Sequence, residues 1–129
     1  MATRKPLIPN RGEVYLVSFD PALGAEIQKT RPALILQNNI GNRHSPVTIV
    51  AAVTSNVLRR GPTSVLVRSP EGGLTVDSLV LLNQIRTVDK RRLGKRLGVL
   101  SSEVLKQVDQ AIMISLALIP EEIQHRVLL

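Results

Sequence analysis

The apolar residues of this chain come in bursts too short for helices until its last quarter. Runs at 13–19, 32–37, 47–54, 63–67 and 78–84 are rich in Val, Ile, Leu and Ala, and turn chemistry follows them: Asp20-Pro21, Gly41-Asn42 with Ser45-Pro46, Gly61-Pro62, Gly72-Gly73. Short runs bounded this way read as strands. In 13–19, Val14 and Leu16 alternate with Tyr15, Val17 and Phe19, so both faces are expected to be covered. The run Val47-Thr48-Ile49-Val50-Ala51-Ala52-Val53-Thr54 is β-branched as suits a central strand. Pro32 opens its strand, where a missing N–H costs no ladder bond. Residues 85–88 extend the 78–84 strand or bend into another. Residues 95–100 suit a last edge strand, with Lys95 and Arg96 guarding it against further pairing. Residues 38–46 and 55–62 read as turns, the second of them basic.

The period changes at Ser101. Ser101-Ser102-Glu103 supplies an N-cap hydroxyl and a first-turn carboxylate, and Val104, Val108, Ala111, Ile112 and Leu116 recur at helical spacing. Pro120 ends that helix or starts a second piece. Short strands first and one amphipathic helix last predict a mainly β fold with a C-terminal α-helix, a small partly open β-barrel. No repeat or composition shift divides the chain. Residues 11–119 are expected as one domain, with 1–10 a basic N-terminal extension and 120–129 a tail.

Within 129 residues there is no Trp and only one Tyr and one Phe, so the core must be aliphatic. The absence of Cys excludes disulfides and thiolate metal sites and fits a reducing cytoplasm. Residues 1–10 lack a signal-peptide core, and no run reaches the ~18 apolar residues of a membrane span, so no membrane partner is expected. The net charge of +7 favours a polyanionic partner. It is concentrated in Arg59-Arg60, Lys90-Arg91-Arg92 and Lys95-Arg96, near strand ends and turns.

The chemistry is narrowed by what is missing. The two histidines, His44 in a turn and His125 in the tail, cannot be assembled into an acid–base pair, and the carboxylates are scattered. No metal or other cofactor is expected. Gly72-Gly73 lacks the setting of a phosphate loop. His44 reads as an exposed loop residue. What remains is Arg31, just before the 32–37 strand, and Thr54, at the far end of 47–54. Paired antiparallel, the start of one strand lies beside the end of the other. A guanidinium and a hydroxyl would then share one surface, able to grip a phosphate and stabilise its charge. The plainer reading stays open: Arg31 caps a strand and Thr54 is an ordinary strand residue.

Arg11-Gly12-Glu13-Val14-Tyr15, Asp20-Pro21, Thr30-Arg31-Pro32-Ala33-Leu34, Gln37-Asn38, Gly41-Asn42-Arg43, Ser45-Pro46 and Thr48-Ile49-Val50 occur in one order. Asp77-Ser78, Leu81-Leu82-Asn83-Gln84-Ile85-Arg86-Thr87 and Asp89-Lys90-Arg91-Arg92-Leu93 continue it. Together they resemble the MazF/PemK family of toxin endoribonucleases over roughly residues 11–119. The resemblance implies an SH3-like barrel of the MazF/CcdB toxin type, working as a homodimer. It implies sequence-specific cleavage of single-stranded RNA, mainly mRNA, without ribosomes or metal. It also implies a MazE-like antitoxin whose acidic tail lies across the RNA groove, with operator DNA met only through that complex.

By the same resemblance the catalytic roles fall on Arg31 and Thr54, with Gln84, Ser55 and Gln28 as RNA contacts. The substrate's own 2′-OH would attack the adjacent phosphate in line, leaving a 2′,3′-cyclic phosphate and a 5′-OH. Arg31, whose ordinary pKa is above ~12, would stabilise charge rather than act as a general base. Two departures stand out: Ala25 replaces a family Ser in the glycine-poor 24–30 loop, and Asn83 replaces a Glu. Two other classes stay open. One is a catalytically impaired nucleic-acid- or antitoxin-binding barrel. The other is a gyrase-poisoning toxin of the same fold, which relies on a C-terminal Trp-Gly-Ile where this chain has Val127-Leu128-Leu129.

Overall fold

The structure, a computed structural model, describes residues 7–120. Six strands form one antiparallel sheet: β1 (Glu13–Ser18), β2 (Thr30–Ile35), β3 (Val47–Thr54), β4 (Ser64–Val67), β5 (Ser78–Asp89) and β6 (Leu93–Val99). Their order across the sheet is β4-β5-β3-β2-β1-β6, so β3 is central and β6 an edge. Helix α1 (Asn39–His44) precedes β3, and α2 (Ser102–Ser115) follows β6.

Both faces of the sheet are buried, which the period-2 runs of Val, Ile and Leu require. One face gathers Val14, Leu34, Ala51, Val53, Val80 and Leu82 against Val108 and Ala111 of α2. The other gathers Tyr15, Val17, Ala33, Ile35, Val50, Leu79 and Val88 with Phe19 and Ile27 of the β1–β2 connection. Burial, then the Glu13 carboxylate beside it, raises the Tyr15 phenol above its usual range. No helix among the described residues is long and apolar enough to cross a membrane.

The two edges, β4 and β6, do not pair, so the barrel is open on that side. The β4–β5 connection crosses the gap, and its short 3₁₀ turn Glu71–Gly73 lies against β6. Contact there is backbone on backbone. A Cβ on Gly73, whose φ is +74°, would stand 1.9 Å from the Leu97 carbonyl oxygen, and one on Gly98 would stand 2.6 Å from the Gly72 carbonyl carbon.

Some boundaries differ from expectation. β2 begins at Thr30 and ends at Ile35, earlier than the expected 32–37, and β6 begins at Leu93. β5 continues to Asp89 as one strand, so 85–88 extend it. Asp89 then caps the turn Lys90–Arg92, and its hydrogen bonds from the Arg91 side chain and backbone N–H hold the carboxyl down to about 2. Leu116 is the C-cap of α2 and exposed rather than part of the packed stripe. Most of the 1–10 extension and the 120–129 tail, with His125 and the terminal Val127-Leu128-Leu129, lie outside the described residues.

Residues 38–46, expected as turns, contain α1. The Asn38 side chain caps it by accepting from the Gly41 N–H at 2.8 Å. Its anchor is Asn42, fully buried. The Asn42 Oδ1 accepts from Thr48 Oγ1 at 2.8 Å and from Gln37 Nε2 at 3.1 Å, its Nδ2 donates to the Gln37 carbonyl at 2.9 Å, and its own carbonyl accepts from the buried Lys90 ammonium. Asn42→Ala strands the Thr48 hydroxyl and a Gln37 N–H. Each buried donor left unsatisfied costs about 1–3 kcal/mol, so a loss of about 2–4 kcal/mol is expected. Urea unfolding would show it as a lower midpoint at unchanged m-value; an unchanged midpoint would refute the role given to Asn42.

Candidate active site

Pairs Ala33↔Ala52, Leu34↔Ala51 and Ile35↔Val50 set the register of β2 on β3. The paired rungs end two residues short of Arg31 and Thr54; continued that far, the same register would set the two level. Arg31 is half-buried, and its Nε donates to the Gln28 carbonyl at 3.0 Å. Its terminal amines have no further hydrogen bond or ion pair among the described residues. Thr54 is buried at 5% exposure, and its Oγ1 accepts from the Asn56 N–H at 3.1 Å. Ser55 is exposed and shares with Arg31 a cavity of about 360 Å³, walled by Pro32, Val53, Leu74 and Val76.

A second feature lies across the sheet. Ala51 pairs with Ile85 but Ala52 pairs with Leu81, so Leu82, Asn83 and Gln84 loop out of the β5 ladder. Bulges of this kind re-aim side chains beside functional sites. The Leu82 N–H donates to the Thr63 carbonyl at 2.8 Å and its side chain is buried. Asn83 is exposed and Gln84 half-buried. Both border a cavity of about 430 Å³ with Ala25, Ile27 and Arg86, and both also border a small cleft beside Arg59.

The β1–β2 connection is tied to these residues. Gln84 Oε1 accepts from the Ile27 N–H at 2.8 Å, Arg86 Nη1 donates to the Phe19 carbonyl at 2.8 Å, and Asp20 Oδ1 accepts from the Lys29 N–H at 2.9 Å. Gln28 itself is exposed, with its carbonyl held by Arg31. Arg31 and Ser55 therefore line one cavity and Gln84 another, while Thr54 and Gln28 line neither. The two departures noted in the sequence, Ala25 and Asn83, both line the Gln84 cavity.

His44 is exposed as expected, but ends α1 rather than sitting in a turn. It lies beyond the start of β3, whose 8 residues separate it from Thr54 by roughly 25 Å at about 3.3 Å per residue. Among the described residues no three His, Asp or Glu side chains gather where they could hold a metal. Arg86 was not singled out from the sequence. The available signal was its spacing of two from Gln84, legible only once 85–88 are known to continue β5.

The chain is thus a partly open antiparallel barrel backed by a C-terminal helix, with basic side chains near its strand ends. MazF (form I) from Deinococcus radiodurans superposes with a TM-score of 0.76 at 27% identity, over 86% of this chain and 98% of that one. A mycobacterial endoribonuclease solved in complex with its cognate antitoxin superposes with a TM-score of 0.68 at 26% identity, over 85% and 94%. In sequence, the endoribonuclease EndoA of Bacillus subtilis (strain 168) is 45% identical over 114 residues, 88% of this chain and 98% of the relative. Residues 10–116 match the family described as PemK-like, MazF-like toxin of type II toxin-antitoxin system. The chain belongs to that family.

Proposed function

We propose that this protein is an endoribonuclease toxin that cuts single-stranded RNA, chiefly mRNA, at specific sequences and without a metal, and that a MazE-like antitoxin restrains it. The observation that carries the reading is the antiparallel β2–β3 register, whose continuation beyond Ala33↔Ala52 would bring Arg31 level with Thr54, with the guanidinium's terminal amines unengaged among the described residues. The 45% identity to an endoribonuclease supports it independently.

In the reaction the substrate's 2′-O–P bond forms as the P–O5′ bond breaks. The 2′-OH loses its proton, the 5′-O gains one, and the products are a 2′,3′-cyclic phosphate and a 5′-OH. Negative charge builds on the phosphorane oxygens. Arg31 can offer them two parallel N–H donors, a bidentate fork that holds and stabilises the phosphate. The Thr54 oxygen already accepts from Asn56, so its own proton is available to the phosphate or to the proton path. Ser55 adds an exposed hydroxyl at the Arg31 cavity, and Gln28 an exposed amide next to it. Gln84 keeps its Oε1 on Ile27 and has its amide N–H groups to read a base. The basic surface suits the acidic tail of the antitoxin, and the protein works as a homodimer.

Protein purified in EDTA is expected to cut a messenger transcript. The new 5′ ends should accept phosphate from a polynucleotide kinase directly, and mapped ends should fall at one short sequence. Activity that disappears with the chelator and returns with a divalent cation would overturn the metal-free chemistry. Cuts spread without regard to sequence would overturn the specificity.

A further inference from the structure

A protein that holds single-stranded RNA commonly stacks the bases on aromatic side chains. This chain has little to offer there. Tyr15 and Phe19 are its only aromatic residues, and they are 5% and 2% exposed. The most exposed large apolar side chain among the described residues is Leu58, at 92%.

Leu58 sits in a well-built turn rather than a loose loop. The 3₁₀ turn Val57–Arg59 is opened by Asn56, whose Oδ1 accepts from the Leu58 N–H at 3.2 Å. The Asn56 N–H in turn donates to Thr54 Oγ1 at 3.1 Å, so the turn springs directly from the candidate catalytic threonine. On its far side the Gly61 N–H donates to Ser64 Oγ at 2.8 Å. Arg59 and Arg60, next in the chain, are exposed and have no side-chain hydrogen bond or ion pair among the described residues. Arg59 borders the cleft shared with Asn83 and Gln84.

We infer that the 56–60 turn is a nucleotide-docking platform: a base of single-stranded RNA lies on Leu58, and the neighbouring phosphate meets Arg59. The inference rests on the RNA-cleaving reading above and adds a residue pair to it. An apolar tip beside two guanidiniums with no partner among the described residues matches the flat base and anionic phosphate of one nucleotide. Its anchorage on Thr54 sets that nucleotide at a fixed distance from the scissile bond. The turn is already ordered, so docking there carries little loss of backbone entropy.

The test begins by mapping the site that wild-type protein cuts in a messenger transcript. A fluorescent oligonucleotide spanning that site, with a 2′-deoxy nucleotide at the cut to block cleavage, then reports binding. Leu58→Ser and Arg59→Gln are both surface changes and should leave thermal unfolding unaltered. Each is expected to weaken binding and raise KM about five- to tenfold with kcat nearly constant. Arg59→Gln should also reduce the slope of log K on log salt by about 0.7, one phosphate's share on a single strand. Leu58→Trp should bind more tightly than wild type, which a merely structural role for Leu58 would not produce.

Wild-type affinity and salt slope in both variants would overturn the platform while leaving the cleavage reading intact. So would a fall in kcat with Kd and KM unchanged, which would make the turn a support for Thr54. If a glutamate-rich peptide loses affinity for the variants while the oligonucleotide does not, the turn belongs to a protein partner and the inference fails. A wild-type protein that cuts no transcript removes the cleavage reading and the platform together.

Discussion

Arg31→Ala is expected to leave the protein folded and to lower RNA cleavage by about 10²–10³-fold, the usual loss when one donor aimed at developing charge is removed. The structure allows a clean test. Among the described residues the one hydrogen bond that the Arg31 side chain makes is from Nε to the Gln28 carbonyl, at the half-exposed end of β2. Losing it should cost no more than about 1 kcal/mol. Arg31→Lys is expected to restore little, because an ammonium cannot present two parallel donors to a phosphate. Thr54→Val should lower cleavage as well but is the less clean change. It deprives the N–H of the exposed Asn56 of its acceptor and so carries a stability loss of about 1 kcal/mol. Cleavage rates read beside thermal unfolding separate the effects; wild-type turnover by Arg31→Ala would remove that residue from the chemistry.

The largest effect on stability is expected at Gly73. Alanine there needs a Cβ 1.9 Å from the Leu97 carbonyl oxygen, on a backbone whose φ of +74° already disfavours any side chain. β6 or the turn must move, and the open side of the barrel loses the contact that spans it. A loss of about 4 kcal/mol or more follows, in the range reserved for core disruption, with a fall in Tm on the order of 15 °C. Gly98→Ala should behave alike, since its Cβ would press on Gly72 at 2.6 Å. Gly61→Ala is the control, with nothing within 4 Å of its Cβ position, and should be nearly neutral. Differential scanning calorimetry reads all three; a Gly73→Ala protein melting with wild type would refute the closure described here.

How far the sequence disclosed this molecule depends on the range of the interactions involved. β3 was legible because a β-branched run between turns has one good conformation. The antiparallel pairing of β2 with β3 was legible because strands consecutive in the chain commonly pair that way, which runs the start of one towards the end of the next. Helix α1 was not legible. Its six residues include Gly and two Asn and carry no apolar stripe, and its anchor is Asn42, bonded to Thr48 and Gln37 and to Lys90 far along the chain. The crossing of Gly72-Gly73 over Leu97-Gly98 was hidden for the same reason: a Gly pair announces a turn but not what the turn leans on. The bulge at 82–84 leaves no mark in a run of Leu and Val, because the missing rungs are a matter of register with β3.

That looped-out stretch has a further consequence. The rungs on either side, Ala51 with Ile85 and Ala52 with Leu81, are complete without it. Asn83 and Gln84 therefore hang outside the woven part of the sheet, and exchanging Asn83 breaks no strand-to-strand bond. On the proposed function, target choice can therefore diversify at position 83 while the scaffold stays whole, whereas a change at Gln84 also releases the Ile27 N–H.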